Sequence, residues 1–248
     1  LLSFEKRLWQ KGYRRVAGID EAGRGPLAGP VVAAVAVLDR KFALAEEKGL
    51  LGAITDSKRM CRNLRESTFV LLAESPNVEI GAGLADVREI TALNILGATA
   101  LAMKRALRAL PCLPEFCLID GKNSPSLSCA SASVVGGDGK SLSIAAASVI
   151  AKVLRDDLMM KLDEKYPEYG FARHKGYASR QHMQALFEYG PIKEHRSGFR
   201  PVREAAAISR AGLRYKGREE GDEQKVSRQL PGSLEDRQVG RETGGETA

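Results

Sequence analysis

The sequence predicts an α/β domain in which a sheet is layered with helices, on three observations. Two β-branched apolar runs near the start are joined by a stretch rich in glycine and proline. A short, near-continuous apolar run in the middle of the chain ends in a carboxylate, and apolar residues at helical spacing recur between and after these runs. Strands come first and then alternate with helices.

Residues 16–38 hold VAGID and VVAAVAVL, joined through 23–30, which reads as strand, tight connection and strand. Residues 56–74 read as a helix, 78–87 as a third strand and 90–110 as a second helix. FCLID at 116–120 suits a buried strand that empties into a site, and 132–135 reads as a further strand. A long helix is expected over 143–166, with Ala146, Val149, Ile150, Val153, Leu154 and Leu158 on one apolar face and Pro167 marking its end. Shorter helices are expected over 180–188 and 202–210. After Leu213 apolar residues become sparse and charges mixed, so 1–212 is expected to form the folded domain and 213–248 a disordered tail.

With 248 residues, 44% of them hydrophobic, the chain can bury one sizeable core but has little room for a second full domain. Glu5, Lys6, Arg7, Lys11, Arg14 and Arg15 interrupt the first fifteen residues, unlike a secretion signal. No apolar run reaches the roughly 18 residues of a membrane span, so a soluble, cytoplasmic protein is expected. Cys61, Cys112, Cys117 and Cys129 form no CxxC pair, and no histidines stand at zinc-finger spacing, so reduced, partly buried thiols are expected. The formal net charge of +7 and isoelectric point of about 9.3 favour a polyanionic partner.

Asp20 and Glu21 are adjacent carboxylates at the end of a hydrophobic strand, where successive side chains point to opposite faces. A divalent metal would offset the cost of burying one of them, and Gly23 and Gly25 would let the strand bend so that both reach one side. A turn salt-bridged by Arg24 is the bland alternative. Asp120 ends a second buried strand, where ligands of open α/β sheets commonly bind, although Asp-Gly is also a common turn pair. The long helix adds Asp156 and Asp157. Periodicity does not choose between them: Asp157 lies nearer the centre of the apolar stripe and Asp156 nearer its edge, and either would be bland if exposed beside Lys152 or Arg155. Carboxylates from two strand ends and one helix suit Mg2+ or Mn2+, two of which about 4 Å apart serve phosphodiester cleavage. Arg24, Lys58, Lys122, Lys140, Lys152 and Lys175 are candidates for holding phosphates.

The blocks GIDEAGRGPLAGPVVAA, TDSK, NILGATALAM, LIDGK, GGDGKSLSIAAASVIAKVLRD and HKGYASRQH resemble, in order and spacing, those of the ribonuclease HII family over residues 16–203. The resemblance implies a ribonuclease H-like mixed β-sheet flanked by helices, with a small helical C-terminal region. It implies a metal-dependent enzyme that cuts the RNA strand of RNA-DNA hybrids and cuts 5′ of single ribonucleotides in duplex DNA, leaving 3′-hydroxyl and 5′-phosphate ends. The family's acidic metal ligands are carried onto Asp20, Glu21, Asp120 and, in VLRD, Asp156, with two Mn2+ or Mg2+ ions. Its glycine-arginine-glycine motif falls on Gly23, Arg24 and Gly25, whose backbone is expected to meet the 2′-hydroxyl. Its sugar-stacking tyrosine falls on Tyr177, with His174 and Lys175 in the same block.

Ala178 and Ser179 replace the glycine-threonine pair common in the family, and the serine keeps a hydroxyl. His182, His195 and Cys129 receive no role. The tail has only Tyr215 as an aromatic and no convincing sliding-clamp motif, and a monomer is expected. Two rivals are weighed. Ribonuclease HIII normally carries an extra N-terminal domain, for which about fifteen residues before the first strand are too few. A non-catalytic hybrid-binding module predicts a broken acidic quartet, and all four positions are filled.

Overall fold

The computed structural model describes residues 1–49, 51–52, 54, 60–122 and 124–211, so Lys58, the beginning of the helix expected at 56 and the tail expected from 213 lie outside the described residues. Among the described residues five strands form one mixed sheet in the order β3-β2-β1-β4-β5, where β1 is Val16–Ala22, β2 Val31–Leu38, β3 Val78–Ala85, β4 Phe116–Asp120 and β5 Ala130–Val134. The first three strands pair antiparallel, while β1 with β4 and β4 with β5 run parallel. The carboxyl ends of β1 and β4 are therefore neighbours, which brings Asp20 and Asp120 to the same edge of the sheet.

Helices α1 (Ser3–Gln10), α2 (Arg40–Glu46), α3 (Arg62–Glu74), α4 (Val87–Arg108), α5 (Leu142–Lys165), α6 (Phe171–His174), α7 (Arg180–Tyr189) and α8 (Arg200–Arg210), with 3-10 turns at Gly137–Gly139 and Pro167–Tyr169, complete the described elements. Alternation along the strands makes two cores. Val16, Ala34, Ala36 and Leu118 pack with Ile144, Val149 and Ile150 of α5 on one face, and Ala17, Ile19, Val35 and Ile119 pack with Ala98, Ala102 and Ala106 of α4 on the other.

Helix α5 differs from the single apolar stripe expected of it, because every residue from Leu142 to Ala151 is buried. Its alanines and serines are small enough to lie directly on the sheet. The closest approach is at Gly18, where a Cβ would stand 2.0 Å from Ser143 C and 2.2 Å from Ile144 N. Gly18→Ala must push β1 and α5 apart, and denaturant unfolding is expected to show a loss of about 3 kcal/mol.

Helix α1 was not expected, because its charges read only as interruptions. Its Glu5 is buried and Oε1 accepts hydrogen bonds from Ser141 Oγ (2.6 Å), Ser143 Oγ (2.7 Å) and Ser143 N–H (3.0 Å), placing a carboxylate at the amino end of α5. The third strand ends earlier than 87 because Asp86 and Glu89 form a capping box that starts α4 at Val87. Helix α4 is broken at Asn94 (φ 56°), whose Oδ1 accepts from the N–H groups of Leu96 and Gly97 and restarts the helix. Cys61 and Cys112 are exposed, not partly buried, whereas Cys117 and Cys129 face each other with 3.0 Å between sulfurs.

The C-terminal helices pack on the loop between β1 and β2. Leu27 is buried with Leu186, Val202 and Ala205, and Ala28 with Met159, Tyr169 and Phe171. His182 and His195 are buried in this region and joined through their Nε2 atoms at 3.1 Å. Burial pushes His182 down to about 4 and, joined by repulsion from His182, His195 to about 3. Both groups have folded values below the unfolded one of about 6.5, so their stabilisation is complete above that pH and is lost as pH falls toward 4 and then 3. Melting curves from pH 7 to 5 should show stability falling, with a limiting slope of about 3 kcal/mol per pH unit from the two groups. A flat profile would contradict this account.

Candidate active site

β1 stays regular through Ala22, with Asp20 opposite Ala34 and Glu21 opposite Ala33, so the bend expected to bring both carboxylates to one side does not occur. Asp20 lies on the α5 face and Glu21 on the α4 face. Asp20 is buried, its Oδ1 accepts from the Glu21 N–H at 2.7 Å, and Ser148 of α5 bonds its side chain. Desolvation, followed by the charges of Glu21 and Asp120, raises its pKa well above the usual carboxylate range, against the two hydrogen bonds. Glu21 pairs with Arg24 at 2.9 Å, so the turn salt bridge weighed as the bland alternative is present as well.

Asp120 accepts from the Gly137 N–H at 2.6 Å, which ties the end of β4 to the Gly136–Gly139 turn before α5. That turn delivers Asp138, a buried residue that sequence reasoning missed. One carboxylate oxygen from each of Asp20, Asp120 and Asp138 lies within 4.8 Å of the others. The only local signal for Asp138 was an aspartate set among glycines just before a buried helix, which reads equally well as a turn.

Asp156 is not in this group. Ser148, which touches Asp20, precedes it by eight residues, or about 12 Å along the helix axis. Asp156 is instead paired with Lys152 at 2.6 Å and shares a separate pocket with Arg62, Arg65 and Lys175, while exposed Asp157 pairs with Lys161 at 2.8 Å. Asp156 and Asp157 thus each pair with a lysine one turn away on their own helix.

Two clefts share Glu21 and Arg24 as walls. One continues along Asp120, Gly121, Lys122 and Ser124 toward Leu96, Thr99 and Met103 of α4. The other is lined by Asp20, Gly23, Gly25, Ser148, Lys152 and Tyr177. Tyr177 is 49% exposed, and its ring edge lies 3.7 Å from where a Cβ on Gly25 would stand. Gly23 has φ +97°, and a Cβ there would stand 2.0 Å from Arg155 Nε, so both conformation and space call for glycine. Lys140 bonds the Val135 carbonyl at 2.5 Å, and Lys175 bonds that of Ala172 at 2.9 Å. Two buried arginines also escaped the sequence reading: Arg155 and Arg196 both donate to backbone carbonyls of the loop between β1 and β2.

The donor set is all carboxylate oxygen, which suits hard divalent cations rather than zinc or copper. Burial first, and then the charges of Glu21 and Asp120, raise the Asp20 pKa, and a bound cation would offset that cost. Sheet order and site together define a mixed α/β domain whose adjoining parallel strands present a carboxylate centre beside clefts lined with basic residues.

The description "Ribonuclease HII" belongs to the family model that matches residues 17–202. The ribonuclease HII of Desulfitobacterium hafniense is 49% identical over 208 residues, covering 84% of this chain and 77% of its own. That of Granulibacter bethesdensis is 48% identical over 204 residues, covering 82% and 92%. The crystal structure of the ribonuclease H2 from Pyrococcus horikoshii superposes with a TM-score of 0.65 at 29% identity, covering 79% of this chain and 99% of that one. This chain belongs to the ribonuclease HII family, whose activity is hydrolysis of the RNA strand of RNA-DNA hybrids. Among the described residues no helix is long and apolar enough to cross a membrane.

Proposed function

We propose that this chain cuts RNA-DNA hybrids and also incises 5′ of single ribonucleotides embedded in duplex DNA, leaving 3′-hydroxyl and 5′-phosphate ends. The observation that carries the reading is the group of Asp20, Asp120 and Asp138 oxygens, of which Asp20 also lines a cleft with Gly23, Gly25 and Tyr177.

Asp20, Asp120 and Asp138, with Glu21 at their border, would hold two Mg2+ or Mn2+ ions, and Asp138 takes the place that the resemblance gave to Asp156. When bound, such ions activate water and stabilise the leaving oxygen of phosphodiester cleavage. The side chains supply position and charge. Ser148 and the Glu21 N–H hold the Asp20 carboxylate, and the Gly137 N–H holds Asp120. The backbone of Gly23, Arg24 and Gly25 comes close to the 2′-hydroxyl, the group that separates RNA from DNA. Tyr177, half-exposed over Gly25, stacks on the sugar of the deoxynucleotide beyond the junction. Lys122 and Lys152 line the clefts and would meet phosphates, and Lys58, Lys140 and Lys175 are further candidates for phosphate contact. We infer a cytoplasmic monomer that binds hybrid or ribonucleotide-bearing duplex without a sliding-clamp motif.

The test uses a labelled duplex with one embedded ribonucleotide, incubated with Mg2+, Mn2+ or EDTA. Cutting 5′ of the ribonucleotide with metal and none with EDTA is expected. Cutting of long hybrids alone would overturn the embedded-ribonucleotide assignment, and metal-dependent binding without any cutting would make the protein a hybrid-binding module.

A further inference from the structure

Arg196 is 1% exposed, and its guanidinium ends entirely on main-chain carbonyls: Nη2 on Gly23 (2.6 Å) and Pro30 (3.2 Å), Nη1 on Arg24 (3.0 Å), Nε on Gly29 (2.9 Å). Among the described residues no carboxylate forms a salt bridge with it. A buried charge without a counter-ion is costly, and burial together with the neighbouring Arg155 pushes Arg196 down to about 9. What the guanidinium holds is the two ends of the loop that forms one wall of the cleft. A lysine, with one ammonium at a point, cannot span those four acceptors.

The residue before it holds the opposite wall. His195 Nδ1 accepts from the Ile192 N–H at 3.0 Å, which places its proton on Nε2. That proton is donated to His182 Nε2 at 3.1 Å, leaving the His182 Nδ1–H to donate to the Tyr177 carbonyl at 2.8 Å. The main chain adds a second tie, with the Arg196 N–H on the Leu27 carbonyl and the Leu27 N–H on the Gly176 carbonyl, each at 2.8 Å. Two consecutive residues thus grip the Gly23–Gly25 loop and the Tyr177 backbone.

We propose that Arg196 is a positioning residue that sets the Gly23–Gly25 loop in register with Tyr177, and so fixes how the protein recognises a ribonucleotide followed by a deoxynucleotide. This rests on the reading above that the loop meets the 2′-hydroxyl and that Tyr177 stacks on the next sugar. Loss of register acts on substrates that must engage both walls at once. General destabilisation acts on all substrates equally.

Arg196→Lys and Arg196→Ala are compared with the wild type for kcat and KM on two substrates, a duplex with one embedded ribonucleotide and a long uniform hybrid, with melting temperatures recorded alongside. For folded Arg196→Lys, kcat/KM on the single ribonucleotide is expected to fall about 10²-fold, the size of effect that misplacement by about 1 Å produces, and to fall less on the long hybrid. Millimolar guanidinium is expected to restore part of the Arg196→Ala activity and none of that lost in Arg196→Lys. Equal losses on both substrates, or no loss, would overturn the proposal. If neither variant folds, His182→Gln loosens Tyr177 from the other side and must shift the same ratio. Tyr177→Ala separates the two levels: if it leaves the substrate ratio unchanged, the reading of Tyr177 fails and takes this inference with it. If it shifts the ratio while Arg196→Lys does not, only the inference fails.

Discussion

Asp20→Asn is expected to lower hybrid cleavage by at least about 10³-fold, the scale of removing a preorganised charge from a reacting centre. The same change should raise the melting temperature of the metal-free protein. Asp20 is buried, repelled by Glu21 and Asp120, and raised in pKa. For a carboxyl raised above its unfolded value, the stabilising contribution is complete in acid below that value and is lost as pH rises through the folded pKa, so at neutral pH the wild type carries the penalty. Asparagine keeps an oxygen to accept from the Glu21 N–H and drops the charge. Adding Mg2+ or Mn2+ should then raise the melting temperature of the wild type but not of the variant, since binding to the folded state stabilises by mass action. A variant that cuts normally, or a wild type whose melting ignores metal, would remove Asp20 from the metal centre.

The second large effect separates two aspartates that look alike in the sequence. Asp138→Asn is expected to lower cleavage by at least about 10²-fold, because it takes one of three clustered carboxylates from the site. Asp156→Asn should stay within about fivefold of wild type, since it breaks a partly exposed ion pair with Lys152 worth up to about 1 kcal/mol. Calorimetric titration with Mn2+ gives a readout independent of cleavage: affinity should weaken in Asp138→Asn and hold in Asp156→Asn. The reverse ranking would return the metal ligand to α5.

The elements most legible in the sequence were those whose side chains settle their own backbone. FCLID gave β4 to the residue, and the two apolar runs flanking the glycine loop gave β1 and β2. Helix α1 was hidden because its one decisive residue, Glu5, finds its partners more than a hundred residues away on α5. The break at Asn94 was hidden for a different reason, since asparagine supports both a helix and the left-handed turn that interrupts it.

From the chain alone came the five strands and helices α3, α4, α5, α7 and α8 in order, the carboxylates at the ends of two buried strands, the glycines of the loop and the ribonuclease HII resemblance. Each of these rests on local pattern or on motif. Tertiary structure decided the third carboxylate, because only the pairing of β4 with its neighbours and the Asp120 to Gly137 bond bring Asp138 to the sheet edge. It also placed Asp20 and Glu21 on opposite faces, since a regular strand alternates its side chains. The contacts of Arg196 were equally invisible: a guanidinium that bonds only to carbonyls leaves no mark in the identity of the residues it holds.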